Sequence, residues 1–289
     1  MSEVMIPSAE LPVAGTRRRA RLSIVILLCF VVVAAVAVFA IVGSLVAPRD
    51  PNNQDLLAGL TRPSGDFWLG TDDLGRDVFS RTIVGARTAV VGPILIALGA
   101  MLIGNALGLI AGYKGGLIDA TIMRWVDLMR ALPGLLVAIV VVGVLGGGYY
   151  LSVALLILLT APYDTRIVRG ATLEQRALPY VEAARTLGLS SRRIMVKHIW
   201  PNVLPLVVAT TFLNFAFSLV TLSALSFLGL GVGPGTPDWG RMLAESQTLL
   251  FDNPAAALAP GGMIVVTAAA MNLIGDWLYE RLSDRGRAR

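Results

Sequence analysis

Residues 22–46 read LSIVILLCFVVVAAVAVFAIVGSLV, 25 positions without one charged side chain. A helix needs ~20 mostly apolar residues to cross the ~30 Å of hydrocarbon in a bilayer, so this run is long enough to span it. It is also too long for the apolar core of a secretory signal, roughly 7–15 residues, and no small-residue cleavage site follows it. It therefore reads as an uncleaved first span. The whole chain agrees: 55% of its 289 residues are hydrophobic and only 15% are charged, outside the usual range of a water-soluble domain.

Five further stretches of the same kind follow, at Ala89–Tyr113, about Leu132–Gly147 with a helix beginning near Met123, Tyr149 to about Ile167, Leu204 to about Gly231, and Ala255 to about Leu278. The expected architecture is an all-α membrane protein of six spans. Orientation follows from where lysine and arginine fall in the connecting segments. With the N-terminus in the cytoplasm, 18 of the 24 basic residues lie on the inner side, seven of them between Arg166 and Lys197. Both termini are then cytoplasmic. The expected layout is a tail at 1–21, a first span at 22–46, an outer segment at 47–88, a core of five spans at 89–278 and a final tail at 279–289. The positive net charge of +5 is thus topological, and no basic stripe interleaved with aromatic residues points to nucleic acid.

The sequence lacks the parts of most membrane chemistries. Cys29 is the single cysteine, inside the first span, and His198 the single histidine, so neither a cysteine metal site nor a nucleophile with a nearby base is expected. Asp164 and Asp276 are expected near cytoplasmic span ends, where an acid stays hydrated, leaving span centres without an ion-relay residue. No Gly-rich turn ending in Gly-Lys-Ser/Thr is present to cradle phosphate. Uphill transport by this chain would have to be driven by another subunit.

One cytoplasmic segment, VEAARTLGLSSRRIMVKHIWPNVLP at 181–205, offers such a subunit a place to push. Pro179 suits a first helical turn, and Ala183 and Ala184 form a small patch that admits a close neighbour. Gly188 is placed to end the helix in a left-handed conformation and Ser190 to cap the next. Two short helices at a hinge make a rigid knob. His198 is expected as a loop-to-helix contact rather than a pH switch. The acids of LGTDDLGRD, 69–77, read as caps of a solvated turn, and the glycines at 146–148 and 229–235 as turn and packing residues. Asn105, Asn214, Ser218 and Thr221 lie within spans, either facing a polar pathway or bonding between helices.

The residues of the knob, Glu182, Ala183, Ala184, Leu187 and Gly188 followed by His198, Pro201, Asn202 and Pro205, resemble the EAA loop of ABC importer permeases. WLGTDDLGRDVFSRTIVGARTA (68–89), YKGGLIDATIMRWVDLMRALPGLL (113–136), LSFLGLGVGPGTPDWGRML (225–243) and NLIGDWLYERLSDR (272–285) resemble further segments of the C-type permease in dipeptide, oligopeptide and nickel importers. Gly235 stands where a second proline is usual, and SDRG replaces a proline-containing tail. The resemblance implies the type I importer permease fold, with 168–203 docking on an ATP-binding subunit whose closure rocks the spans. It further implies a bacterial inner-membrane location, a B-type sister permease, two ATP-binding subunits that carry ATP and magnesium, and an extracytoplasmic solute-binding protein. Beside membrane lipid, the implied cargo is a di- or oligopeptide, with glutathione or a nickel chelate as alternatives. A passive channel would need no such loop, and a membrane enzyme would need the missing catalytic pairs.

Overall fold

The computed structural model describes residues 23–57 and 59–286; the tail at 1–21 and residues 287–289 lie outside the described residues. The first helix, α1 (Ile24–Val46), starts at Ser23, whose hydroxyl accepts from the Val25 amide at 3.3 Å. It buries only Cys29, Val36 and Gly43 and shows apolar side chains on its other faces. That is the surface of a helix whose solvent is lipid. It packs on α2 (Val78–Lys114) and α10 (Ala255–Gly286).

The second helix begins 11 residues before the expected Ala89, where the Asp77 carboxylate accepts from the Ser80 amide at 2.9 Å. The end of the expected outer segment at 47–88 is thus helical; within it Arg81 is almost wholly buried among acids and Arg87 lies exposed. With 37 residues, α2 is longer than a bilayer requires. Its main partner is α5 (Tyr149–Arg176). Along their seam, a Cβ added to Gly104, Gly108 or Gly112 would fall 2.3 Å from Asp164 Cβ, 2.7 Å from Val168 Cβ or 2.7 Å from Thr172 Cβ. Four-residue spacing puts these glycines on one helix face, and their lack of side chains lets the two backbones touch.

The expected third span is broken. Helices α3 (Gly116–Ala131) and α4 (Gly134–Val144) meet at an angle of 81° across Leu132 and Pro133. Leu132 is extended (φ −100°, ψ 141°), the conformation that a following proline imposes. Two ion pairs tie α3 to α5, Asp119 with Arg169 and Asp127 with Arg166.

After α5 come α6 (Pro179–Thr186) and α7 (Ser191–Ile194), which continues through a π-helical turn (Met195–Ile199) into α8 (Trp200–Phe227). A short outer helix, α9 (Trp239–Glu245), and a 3₁₀ turn (Gln247–Leu249) precede α10. Among the described residues five helices are long and apolar enough to cross a membrane, six if the bent α3–α4 pair is counted as one span. The chain is an all-helical membrane protein; among the described residues the single β-feature is a bridge between Thr71 and Asp77.

Candidate functional site

The expected knob is built from its caps. Leu178 is extended and Pro179 opens α6. At the other end Gly188 has φ +75°; its amide donates to Arg185 O at 2.9 Å, and the Leu189 amide donates to Ala184 O at 3.2 Å. This pair of bonds is the Schellman arrangement, completed by Leu189 packing on the same cluster as Ala184. Ser190 then caps α7, accepting from the Arg193 amide at 3.4 Å.

Val181, Ala184, Ile194 and Ile199 are buried together with Tyr113 of α2, Val168 of α5, and Val203 and Val207 of α8. The knob is thereby seated on the inner ends of three spans. The Arg185 guanidinium lies 5.0 Å from the centre of the Tyr113 ring. Tyr180 donates its hydroxyl to Gln175 Oε1 at 2.7 Å and receives Asn202 Nδ2 at 3.3 Å. Burial of the ring pushes the Tyr180 phenol above its usual value, with the Asn202 amide pulling the other way. His198 joins this cluster through its carbonyl, which accepts from Asn202 Nδ2 at 2.7 Å. Pro201 begins α8 on the exposed side.

The small patch expected at Ala183 and Ala184 is divided. Ala184 is 4% exposed and faces the chain's own core, while Glu182, Ala183 and Leu187 point outward, Leu187 at 79%. Successive helical residues are about 100° apart, so one alanine serves the mount and the other the free surface.

A groove of about 880 Å³ runs between the α3–α4 bend and helices α5, α8 and α10. Its wall is mainly apolar, with Arg130, Thr160, Tyr163, Asn214, Thr221 and Asn272 as the polar exceptions. Two of the four expected pathway residues, Asn214 and Thr221, line it. The other two do not: Asn105 donates to Met101 O at 2.7 Å within α2, and Ser218 is 2% exposed. Thr160, Tyr163 and Asn272 were not anticipated. Helical spacing carried a signal for the first two, since Thr160 and Tyr163 share a face of α5 as Asn214 and Thr221 share one of α8.

Asp164 is not at a hydrated span end. It is 3% exposed, midway along α5, and Asn214 Nδ2 of α8 lies 2.9 and 2.8 Å from its two oxygens. A span interior therefore does hold an acid.

The outer turn is solvated at Asp73 but not at its other two acids. Asp72, Arg76, Asp77 and Arg81 are each 5% exposed or less. Arg76 pairs with Asp72 at 2.7 Å and with Glu245 of α9 at 2.9 Å, and Arg241 approaches the same Glu245 at 3.1 Å. Beside them the fully buried Trp239 donates its indole N–H to Thr82 O at 2.8 Å, and Gly85 leaves room for the ring. The acids cap and pair at once, which fastens the outer segment onto α2 and α9. Among the described residues no three His, Cys, Asp or Glu side chains gather to hold a metal.

Residues 104–287 match the family described as binding-protein-dependent transport system inner membrane component. The glutathione transport system permease protein GsiD of Pectobacterium atrosepticum is 40% identical over 223 residues, 77% of this chain and 74% of that one. The dipeptide transport system permease protein DppC of Alkalihalophilus pseudofirmus is 34% identical over 270 residues, 93% and 87% of the two chains. The probable D,D-dipeptide transport system permease protein DdpC of Escherichia coli K12 is 32% identical over 255 residues, 88% and 86%. In fold, the chain is similar to a structure of the MetNI methionine ABC transporter in an inward-facing conformation, with a TM-score of 0.58 at 18% identity over 70% of this chain and 95% of that one. With the family match covering the groove, the knob and the last span, the chain belongs to the binding-protein-dependent ABC importer permeases, as a non-catalytic inner-membrane subunit.

Proposed function

We propose that this permease forms half of a heterodimeric pathway that imports short peptides, glutathione among them, and that its knob receives the push of an ATP-binding subunit. One observation carries the coupling: the knob and the groove share a helix. Residues 191–227 run without interruption from α7 through the π turn to α8, so the Ser190 cap sits at one end of the rod whose other part presents Asn214 and Thr221 to the groove. Displacement of Glu182, Ala183 and Leu187 by a docked subunit is carried to the groove wall by packed side chains.

The groove is open along an apolar face that includes Phe217 (66% exposed) and Leu135 (43%). A B-type sister permease would close it. In this reading two ATP-binding subunits hold ATP and magnesium, an extracytoplasmic binding protein delivers cargo to the outer surface, and lipid surrounds α1. The peptide class is supported by relatives whose names specify glutathione, itself a tripeptide, and dipeptides.

The test is reconstitution in liposomes of the permease with the sister permease, ATPases and binding protein encoded beside it. ATP-dependent accumulation of labelled dialanine or glutathione is expected only from the full set. Proton-driven uptake by this chain alone would overturn the energy source, and accumulation of a nickel chelate without peptide would overturn the cargo.

A further inference from the structure

Asp164 and Asn214 face each other across α5 and α8 at mid-helix, and their chemistry fixes how each is presented. A carboxylate has only acceptors, so the Asn214 amide turns its nitrogen toward Asp164, reaching both oxygens at 2.9 and 2.8 Å. The carbonyl arm of the same planar amide is then left for the groove, which Asn214 lines. Behind Asp164 the way is closed by α2, where Gly104 admits nothing larger than hydrogen against the Asp164 side chain.

Asp164 forms no ion pair among the described residues, although Arg166 and Arg169 on its own helix are both paired, to Asp127 and Asp119. A buried carboxylate without a cation is costly, and in a low-dielectric wall its field reaches any positive group that enters beside it. Arg130 is the one basic residue among those lining the groove. It lies under the α3–α4 bend with its guanidinium 5.8 Å from the Tyr163 ring centre.

We infer that the groove wall holds a subsite for a cargo ammonium group, in which Asn214 Oδ1 accepts an N–H and the Asp164 charge lies directly behind. This rests on the groove being the translocation pathway. A peptide's α-ammonium has the charge and the donors that such a subsite takes; an N-acylated peptide lacks the charge. Asp164 acts as a positioning residue, since it also holds the amide in the orientation that leaves its oxygen exposed to cargo.

The test reads the groove directly and does not depend on what the binding protein selects. The assembled complex carrying Cys29→Ser and Thr160→Cys, placed in lipid nanodiscs without binding protein, is labelled with trimethylammonium and sulfonate methanethiosulfonates of equal length. Thr160 lines the groove one turn before Asp164. Each rate is divided by that of a free thiol in solution. The preference for the cationic reagent is expected to fall roughly tenfold when Asp164→Asn is added; the field of Arg130 is common to both proteins and cancels in that comparison. In a second arm that needs no Asp164 variant, trialanine slows the cationic reagent and N-acetyltrialanine at equal concentration does not. Equal preference with and without Asp164→Asn, or equal protection by both peptides, overturns the subsite and leaves the pathway standing. Failure of either reagent to reach Thr160→Cys means the groove is closed to water, and the pathway reading falls with the subsite. If the parent shows no cationic preference while Asp164→Asn no longer assembles with the sister permease, Asp164 is paired across the subunit interface and the inference is wrong.

Discussion

Arg81 of α2 and Glu245 of α9 meet at 3.0 Å, 164 residues apart in sequence, with side-chain exposures of 1% and 18%. Glu245 also holds Arg76 and Arg241, so a single carboxylate balances three guanidiniums with help from Asp72. Replacing one member of a buried ion pair leaves its partner's charge uncompensated, at a cost of about 3 kcal/mol. Glu245→Gln should therefore lower the unfolding midpoint of the purified permease by about 5 °C or more, while Glu245→Asp, which keeps the charge, should lower it less. Equal midpoints for the two variants would show that the charge is unimportant there.

Ala183 and Ala184 should separate docking from folding. A tryptophan at Ala184 enters the chain's own core, where overpacking costs about 1–3 kcal/mol, and should reduce the amount of folded permease in the membrane. The same change at Ala183 should leave that amount unaltered and abolish both ATP-driven uptake and pull-down of the ATP-binding subunit. Membrane level and pull-down, measured side by side, distinguish the two; a drop in level for Ala183→Trp alone would reverse the assignment of faces.

At Gly188 the obstacle to substitution is conformational rather than steric, since nothing lies within 4 Å of an added Cβ while φ is +75°. An ordinary side chain pays about 1–2 kcal/mol to remain left-handed. Gly188→Leu should insert normally yet lose most uptake, whereas Gly188→Asn should retain it, because asparagine tolerates that conformation at helix ends. Transport at matched membrane levels decides the point, and full activity of Gly188→Leu would reduce the knob to a connector.

Sidedness can be read at two positions chosen for exposure, Leu57 at 101% and Leu187 at 79%. In a Cys29→Ser background, a membrane-impermeant maleimide added to intact cells should label Leu57→Cys and leave Leu187→Cys unlabelled. The opposite pattern would invert the topology and remove the knob from the ATP side.

Much of this was legible in the chain itself because the cues were local. An unbroken apolar run fixes α1, and the positions of Pro179, Gly188 and Ser190 announce the helices of the knob, each by a conformational rule that needs no tertiary contact. Where reading failed, a distant partner had changed the meaning of a residue. Arg81 resembles loop until Glu245 is brought beside it, and Asp164 looks hydrated until Asn214 and Gly104 enclose it. Pro133 did carry a usable signal for the break in the third span, since it forces Leu132 out of helical conformation. The groove had only a partial signature, because its wall joins residues from three helices and the bend of a broken fourth span.

The π turn at Met195–Ile199 sets an angular phase. A π turn carries one residue more than the α turn it replaces, and each α-helical residue subtends about 100°. The surfaces of α7 and of everything attached before it are therefore rotated by roughly a quarter-turn, about the rod's axis, from where an uninterrupted α-helix would have put them relative to Asn214 and Thr221. Deleting one residue of this turn would let the helix relax to regular geometry with every docking side chain still present. Ala183 and Leu187 would then face a different azimuth. In the coupling proposed above, the angular match between the knob and an ATP-binding subunit is then set by a residue count.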